Sequence, residues 1–119
     1  TAYPALWDLH YDANDESLHS MAEAYTRIYI NTCLSNKVEV LLNIMNKGQI
    51  DGTIYHLNRS CKLMSFLNVE TAEIIKGING KPYVSFDGDQ TDPNVYSPAQ
   101  YETRVQALVE MMEAHLAAE

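Results

Sequence analysis

The order of strand-like and helical segments constrains the fold of this chain more than any other feature of its sequence. Residues 52–57 and residues 81–86 are short runs rich in β-branched and aromatic side chains, a composition that suits buried strands. Segments with a helical spacing of apolar residues lie before, between and after these two runs. Strands that alternate with helices in this way are typical of a parallel sheet.

Three stretches before the last helix show the apolar periodicity of an amphipathic helix. The first covers residues 18–29, and Asp15 is placed to cap its amino-terminal N–H groups. The second covers residues 38–45, and Gly48 is predicted to end it in the left-handed conformation. The third lies between the two strands and is predicted to begin with Asn68 as its cap.

The last helix has the clearest start signal. Ser97 precedes Pro98 and Gln100, which is the pattern of a capping box with proline at the first helical position. An apolar stripe follows over residues 101–116. The whole order of elements therefore predicts an α/β fold, with a Rossmann-like or flavodoxin-like parallel sheet flanked by helices.

The length of 119 residues suits one hydrophobic core, so we predict a single α/β domain over residues 1–119. Two strands are few for a free-standing sheet. The chain also begins abruptly at Thr1, with aromatic and apolar side chains directly after it. Both features lead us to expect a small or incomplete domain cut from a longer polypeptide.

Composition excludes several classes of partner. The formal net charge is −8, from 16 acidic and 8 basic residues, and the basic residues are not clustered, so a nucleic-acid partner is not expected. No apolar run approaches the roughly 18 residues of a membrane span, and no secretion signal opens the sequence. Cys33 and Cys61 are the two cysteines, and we expect both to be reduced thiols in the cytoplasm.

Cys61 is the residue with the clearest chemical potential. It follows the first predicted strand, at the end where open α/β sheets gather ligands, and it opens a helical turn beside Arg59 and Lys62. The positive potential of that position favours the thiolate, which ligates metals or attacks electrophiles. The alternative is a small buried hydrophobic residue. One thiol cannot hold a zinc ion or an iron–sulfur cluster alone, so any such group needs ligands from elsewhere.

Two other residues of interest have structural interpretations. Cys33 lies in a polar turn between two predicted helices with no strand before it, and we assign it a structural or incidental role. His56 lies within a predicted strand and is interpreted as a surface or packed histidine and not as a catalyst.

Three aspartates, Asp87, Asp89 and Asp92, follow the second predicted strand and suggest a cation site. The calcium-loop pattern fails, however, because Asp92 stands where glycine is required and Pro98 stands where a bidentate Glu is required. We therefore interpret the aspartates as turn residues that end the strand.

Several segments of the chain, in the same order, are similar to one known family. They are residues 51–56 (Asp-Gly-Thr-Ile-Tyr-His), residues 58–62 (Asn-Arg-Ser-Cys-Lys), residues 87–89 (Asp-Gly-Asp), residues 100–110 and residues 27–32. In these segments the chain resembles the carboxy-terminal part of subunits of the 2-hydroxyacyl-CoA dehydratase and benzoyl-CoA reductase family, which includes the D-component of 2-hydroxyglutaryl-CoA dehydratase. The Arg-Ser-Cys-Lys turn is the most specific element.

The resemblance implies an oxygen-sensitive enzyme of anaerobic amino acid fermentation, built from two related subunits. Each subunit encloses a [4Fe–4S] cluster held by three cysteines, and the carboxy-terminal domain supplies one of them at the position of Cys61. A separate ATP-hydrolysing iron–sulfur activator injects one electron. The dehydratases convert an (R)-2-hydroxyacyl-CoA substrate to the enoyl-CoA through a ketyl radical anion, whereas the reductases reduce an aromatic ring.

The resemblance also limits what residues 1–119 can do alone. The region with the other two cysteines lies outside this sequence, and Cys33 does not match either of them. We therefore expect the cluster in the full-length subunit, and neither a cluster nor turnover in this fragment. The acyl-CoA substrate, the choice between the two subunits and the choice between dehydration and ring reduction stay open. One alternative is a stand-alone flavodoxin-like regulatory or binding module, in which Asp87 and Asp89 would hold a divalent cation. Another is a structural interaction domain, which predicts that Cys61 is buried in apolar packing with no cleft around it.

Overall fold

The computed structural model describes residues 10–11, 16–28 and 31–118. The chain divides into two compact units, Thr1–Asn43 and Ile44–Glu119. The prediction of a single domain over residues 1–119 stays a prediction. Asp15, the predicted cap of the first helix, lies outside the described residues.

Helices account for most of what is described in the first unit. Helix α1 spans Ser17–Thr26, and helix α2 spans Leu34–Gly48, of which residues 34–43 belong to this unit. Glu23 and Arg27 form an ion pair one turn apart on the exposed surface of α1. Both helices lie where the apolar periodicity predicts them. No helix in the described part of the chain is both long and apolar enough to span a bilayer.

The end of α2 differs from the prediction by one residue. The left-handed residue is Gln49, with φ of 49°, and not Gly48. The Gln49 N–H donates to the Asn46 carbonyl at 3.4 Å and the Ile50 N–H donates to the Met45 carbonyl at 3.0 Å. This pair of bonds is a Schellman motif, which places the left-handed conformation at the first residue after the helix. Because α2 continues through Gly48, that residue is Gln49.

The second unit is built on two parallel strands, β1 (Thr53–Asn58) and β2 (Tyr83–Gly88). They pair without a bulge from Thr53 opposite Tyr83 to Asn58 opposite Gly88. Helix α4 (Asn68–Asn79) forms half of the connection between them. The parallel sheet and its helical crossover confirm the predicted α/β, flavodoxin-like class.

Both strands begin later than predicted. β2 begins after Pro82, which has no N–H to donate, and the Pro82 carbonyl accepts a hydrogen bond from the Thr53 N–H at 3.1 Å. The start of α4 also differs, because Asn68 is a buried residue inside the helix. The cap position belongs to Leu67, which has φ of 66°. The short helix α3 (Lys62–Ser65) ends just before it, so Phe66 and Leu67 alone connect the two helices.

Helices cover both faces of the sheet. On one face, the Tyr83 hydroxyl donates to the Glu73 carboxylate of α4, and the Lys76 Nζ lies 5.9 Å from the centre of the Tyr83 ring. On the other face, the Tyr101 ring of α5 (Pro98–Leu116) packs edge-on against Phe86 at 5.3 Å between centroids. Side chains alternate along a strand, so Tyr83 and Phe86 point to opposite faces. The second unit is thus a helix–sheet–helix sandwich.

The start of α5 follows the sequence signal. The Ser97 side chain accepts a hydrogen bond from the Gln100 N–H, and Pro98 occupies the first helical turn. Along the apolar stripe of α5, Leu108 is buried. A Cβ atom added at Gly52 would lie 2.6 Å from the Met112 Sδ and 3.1 Å from a methyl group of Leu108. α5 therefore approaches the chain just before β1 so closely that only glycine fits there without displacement.

Two glycine substitutions should change stability in opposite directions. Gly52→Ala forces Met112 and Leu108 to move, and we expect it to lower the free energy of unfolding by about 1–3 kcal/mol. Gly77→Ala is the matched control, because Gly77 lies inside α4 with no atom within 4 Å of an added Cβ. In a helix this change should raise the free energy of unfolding by about 0.5–1 kcal/mol. Urea unfolding of both variants measures the difference, and equal midpoints would contradict the close approach of α5.

Candidate functional site

The carboxyl ends of β1 and β2 lead into two adjoining turns. We call residues 59–61 the β1 turn and residues 89–92 the β2 turn. The Arg59 N–H donates to the Gly88 carbonyl at 2.9 Å, so the ladder of the sheet continues one residue into the β1 turn. Because the strands are parallel, both turns leave the sheet at the same edge, where ligands bind in open α/β sheets.

Cys61 ends the β1 turn as the cap residue of α3, with an extended backbone (φ −121°, ψ 91°) and a half-buried position. Its N–H donates to the Asn58 carbonyl at 3.2 Å, and its carbonyl accepts from the Ser65 N–H at 3.2 Å. The Cys61 side chain makes no capping hydrogen bond. The predicted position of Cys61 at a strand-to-helix turn is confirmed, and its role as an iron ligand stays a prediction.

Asn58 holds the β1 turn to the end of β1 through hydrogen bonds. It is the last residue of β1 and is buried. Its carbonyl accepts two hydrogen bonds, from the Cys61 N–H at 3.2 Å and from the Ser65 hydroxyl at 2.6 Å. Its side-chain Oδ1 lies 3.1 Å from the Ser60 hydroxyl oxygen, which is also within hydrogen-bond distance of Asp89. Asn58 therefore connects the strand to the turn and to α3 at once.

Ser60 and Asp89 connect the two turns. The Ser60 hydroxyl lies 3.0 Å from Asp89 Oδ1. The same oxygen accepts from the Thr91 N–H at 2.9 Å and from the Thr91 hydroxyl at 2.8 Å. The hydrogen bond from the Thr91 backbone, followed by that from its side chain, holds the pKa of Asp89 below its usual range. Asp89 is consequently a carboxylate at neutral pH, and each of these donors faces an anion.

A salt bridge lies beside this connection. Arg59 Nη2 is 3.1 Å from Asp87 Oδ2, with side chains that are 60% and 49% exposed. An ion pair so open to water contributes between about 0 and 1 kcal/mol to stability, so it adds little to the hold on the β1 turn.

The three aspartates that suggest a cation site each bind their own neighbours. Asp87 pairs with Arg59, Asp89 accepts from Ser60 and Thr91, and Asp92 accepts from the backbone and side chain of Asn94 at 2.9 Å. Nowhere in residues 10–11, 16–28 and 31–118 do three His, Cys, Asp or Glu side chains gather as a metal site would require. Asp89 and Asp92 have the hydrogen bonds of turn residues, as predicted. The same prediction is wrong for Asp87, which lies inside β2 because the strand continues to Gly88.

Cys33 lies in the first unit, apart from Cys61 in the second. Its carbonyl accepts from the Lys37 N–H in the first turn of α2 at 3.1 Å, and its thiol is exposed, with Sγ 3.1 Å from the Ser35 hydroxyl. The hydrogen bond from Ser35 holds the pKa of Cys33 below its usual range. An exposed thiol does not pack, so of its predicted roles only the incidental one fits this geometry.

Of the two predicted positions for His56, surface or packed, the structure shows the packed one. The His56 ring stacks on Phe86 at 5.1 Å between centroids. A Cβ atom added at Gly88 would lie 2.5 Å from His56 Nε2, so the absence of a side chain at Gly88 makes room for the imidazole.

Comparison with known proteins identifies a matching family and several relatives of this chain. The family model described as 2-hydroxyglutaryl-CoA dehydratase, D-component, matches residues 1–112. Lactoyl-CoA dehydratase subunit alpha of Anaerotignum propionicum is 86% identical over 118 residues, which are 99% of this chain and 28% of that protein. The (R)-2-hydroxyisocaproyl-CoA dehydratase alpha subunit of Clostridioides difficile is 43% identical over 95% of this chain and 27% of its own length. One of the benzoyl-CoA reductase subunits of Thauera aromatica is 29% identical over 87% of this chain and 24% of its own length.

The matches extend over both strands, the β1 turn and the β2 turn. The chain spans just over a quarter of the length of the dehydratase subunits that it matches. The family model covers nearly all of the chain, and the resemblance predicted from the short segments around Cys61 is confirmed. This chain belongs to the 2-hydroxyglutaryl-CoA dehydratase D-component family.

Proposed function

We propose that this chain is part of the alpha subunit of a 2-hydroxyacyl-CoA dehydratase, a lyase that removes water from an (R)-2-hydroxyacyl-CoA to give the enoyl-CoA. The observation that carries the proposal is the 86% identity to lactoyl-CoA dehydratase subunit alpha over 99% of the chain. Identity falls to 29% with the benzoyl-CoA reductase relative, which favours dehydration over ring reduction.

The same comparison favours lactoyl-CoA as the substrate. Sequence identity is 86% with the lactoyl-CoA dehydratase subunit. It is 43%, half as high, with the subunit of the dehydratase that acts on the longer, branched 2-hydroxyisocaproyl group. The proposed complex contains this subunit, a second related subunit and an ATP-hydrolysing iron–sulfur activator. We assign it to the cytoplasm, where free thiols such as Cys33 and Cys61 stay reduced.

Within this proposal Cys61 is one ligand of a [4Fe–4S] cluster. The residues present fit such a group in part, because Cys61 offers one half-buried thiol at the ligand-binding edge of the sheet. The other ligands belong to parts of the subunit outside this chain. When bound, such a cluster would supply one-electron chemistry, passing one electron to the thioester and recovering it after the 2-hydroxyl group and a β-proton have left.

The residues around Cys61 have three tasks in this proposal. Cys61 loses its proton to bind iron, because the thiolate is the ligand form. Asn58 fixes the Cys61 backbone through its carbonyl, which also accepts from Ser65. The buried Asn58 side chain lies 3.1 Å from the Ser60 hydroxyl, and the third task is that it occupies the interior side of the β1 turn, which would limit the access of water there.

The stand-alone binding module has less support. It requires Asp87 and Asp89 to turn their oxygens toward a cation. Asp87 pairs instead with Arg59, and one Asp89 oxygen already accepts from Ser60 and Thr91. The match to an enzyme family over residues 1–112 points in the same direction.

Turnover tests the substrate assignment. The full-length subunit, assembled anaerobically with its second subunit and activator, should dehydrate lactoyl-CoA with a higher kcat/KM than 2-hydroxyisocaproyl-CoA, because its sequence is nearer to the lactoyl-CoA enzyme. Formation of the enoyl-CoA is followed by mass spectrometry of the thioesters. Benzoyl-CoA is the control substrate. Reduction of its ring without dehydration of either hydroxyacyl-CoA would contradict the proposal.

Replacement of Cys61 tests the ligand assignment. In the full-length subunit in its complex, Cys61→Ser should remove most of the cluster iron and the activity, because a serine oxygen is a poorer ligand than thiolate for iron–sulfur clusters. The fold should persist, since the Cys61 side chain makes no capping bond. Cys33→Ser is the matched control and should keep its iron. Iron analysis and circular dichroism give the two readouts, and full iron content in Cys61→Ser would refute the assignment.

The isolated chain provides a further test. After anaerobic reconstitution with iron and sulfide, residues 1–119 should hold no stable [4Fe–4S] cluster, because such a cluster is normally held by more thiolates than the two that this sequence contains. Electronic absorption and EPR spectra measure cluster content. A stoichiometric [4Fe–4S] signal would show that this chain holds a complete site.

A further inference from the structure

We propose that Ser60 and Asp89 are positioning residues for Cys61. Through the hydrogen bond between the β1 turn and the β2 turn, they fix where the Cys61 thiol stands at the edge of the sheet. The inference rests on the proposed role of Cys61 as an iron ligand and extends it to two side chains that are not ligands themselves.

Cys61 needs such support because its own helix provides little. α3 contains only the four residues Lys62–Ser65, and the Cys61 side chain forms no capping hydrogen bond that would fix it. The direction of the thiol therefore depends on the backbone of the β1 turn. That backbone has one anchor in Asn58, which accepts from the Cys61 N–H.

Ser60 supplies a second and independent anchor. It directly precedes Cys61, and its hydroxyl lies 3.1 Å from Asn58 Oδ1 and 3.0 Å from Asp89 Oδ1. A hydroxyl has one proton to donate, and a carboxylate is a stronger acceptor than an amide oxygen. We therefore assign the hydroxyl proton to the bond with Asp89. This bond connects Ser60, the residue before Cys61, to the β2 turn.

Asp89 can hold Ser60 in place because hydrogen bonds within the β2 turn fix the Asp89 side chain. Thr91 donates two hydrogen bonds to Asp89 Oδ1, one from the backbone and one from the side chain. The backbone bond from Arg59 to Gly88 keeps the start of the β1 turn next to the end of β2. Removal of either side chain would break the Ser60–Asp89 bond and leave two backbone bonds in place, from Arg59 to Gly88 and from Cys61 to Asn58.

The expected effect follows from the way proteins hold metal ligands. Groups that orient a ligand by hydrogen bonding typically change metal affinity or activity by about 10- to 100-fold when they are removed. Ser60 acts on Cys61 through one peptide unit, so we expect an effect at the lower end of this range.

The experiment uses the full-length subunit in its complex, loaded with iron and sulfide under anaerobic conditions. Ser60→Ala and Asp89→Ala remove the bond, and Asp89→Asn keeps an oxygen acceptor without the charge. Ser97→Ala is the matched control, because it also removes a bonded serine hydroxyl, but from the cap of α5. The readouts are the rate of iron loss to an Fe(II) chelator, the EPR spectrum of the reduced protein and the thermal midpoint.

We expect Ser60→Ala and Asp89→Ala to lose iron at least about tenfold faster than the unchanged protein, with shifted EPR lines. Asp89→Asn should recover part of the difference, because its amide oxygen still accepts a hydrogen bond but competes on equal terms with Asn58 Oδ1 for the Ser60 proton. Ser97→Ala should lower the thermal midpoint and leave both the iron-loss rate and the EPR spectrum unchanged, which separates positioning from general destabilisation.

Three results would overturn the inference. The first is an unchanged iron-loss rate and EPR spectrum in Ser60→Ala. The second is an iron-loss rate that follows the thermal midpoint in every variant, including Ser97→Ala. The third is an Asp89→Asn variant that loses iron as fast as Asp89→Ala. If Asp89→Ala does not assemble, Ser60→Ala decides the matter, since it removes a single hydroxyl. Cys61→Ser, measured alongside, separates the two proposals. Retained iron in Cys61→Ser refutes the ligand role, whereas loss there with no effect in Ser60→Ala refutes positioning alone.

Discussion

The parallel pairing of β1 with β2 is the constraint on which the candidate site depends. Ser60 and Asp89 are 29 positions apart in the sequence, and they meet because parallel strands deliver their carboxyl ends to one edge. An antiparallel pair would place the two turns at opposite edges. The hydrogen bond from the Arg59 N–H to the Gly88 carbonyl continues the pairing of the two strands by one residue, so the strand register sets the position of the β1 turn.

That pairing in turn depends on the two helices that enclose it. A two-stranded sheet has too little buried surface to be stable by itself, and parallel sheets occur with both faces covered. α4 covers one face, with Ala72 and Ile75 buried, and α5 covers the other, with Leu108 buried. The close approach of α5 at Gly52 fixes the amino-terminal end of β1, so the helix acts at the end of the sheet opposite to Cys61.

Local signals in the sequence predicted most of the fold and the position of Cys61, because periodicity and capping act over a few residues. Ser97 is an example, since its cap needs only Gln100 three positions later. Gln49 and Leu67 were missed because their left-handed conformations follow from how the neighbouring helices end and begin, and neither residue type favours them. The Ser60–Asp89 bond was missed because it needs the strand register, and both strands begin later than predicted.

A carboxylate at position 89 suits this connection better than a neutral side chain would. Protonated Asp89 would carry a donor of its own and lose the charge that strengthens the bonds from Ser60 and Thr91. The Thr91 hydrogen bonds lower the pKa of Asp89 in the folded protein. The stabilisation of the fold by the charged Asp89 is therefore complete above the pKa of an unfolded aspartate, and it is lost only as the pH falls through the lower pKa of the folded state. Thr91 thus keeps Asp89 an acceptor throughout the neutral range, and the hold on the β1 turn does not depend on small changes of pH.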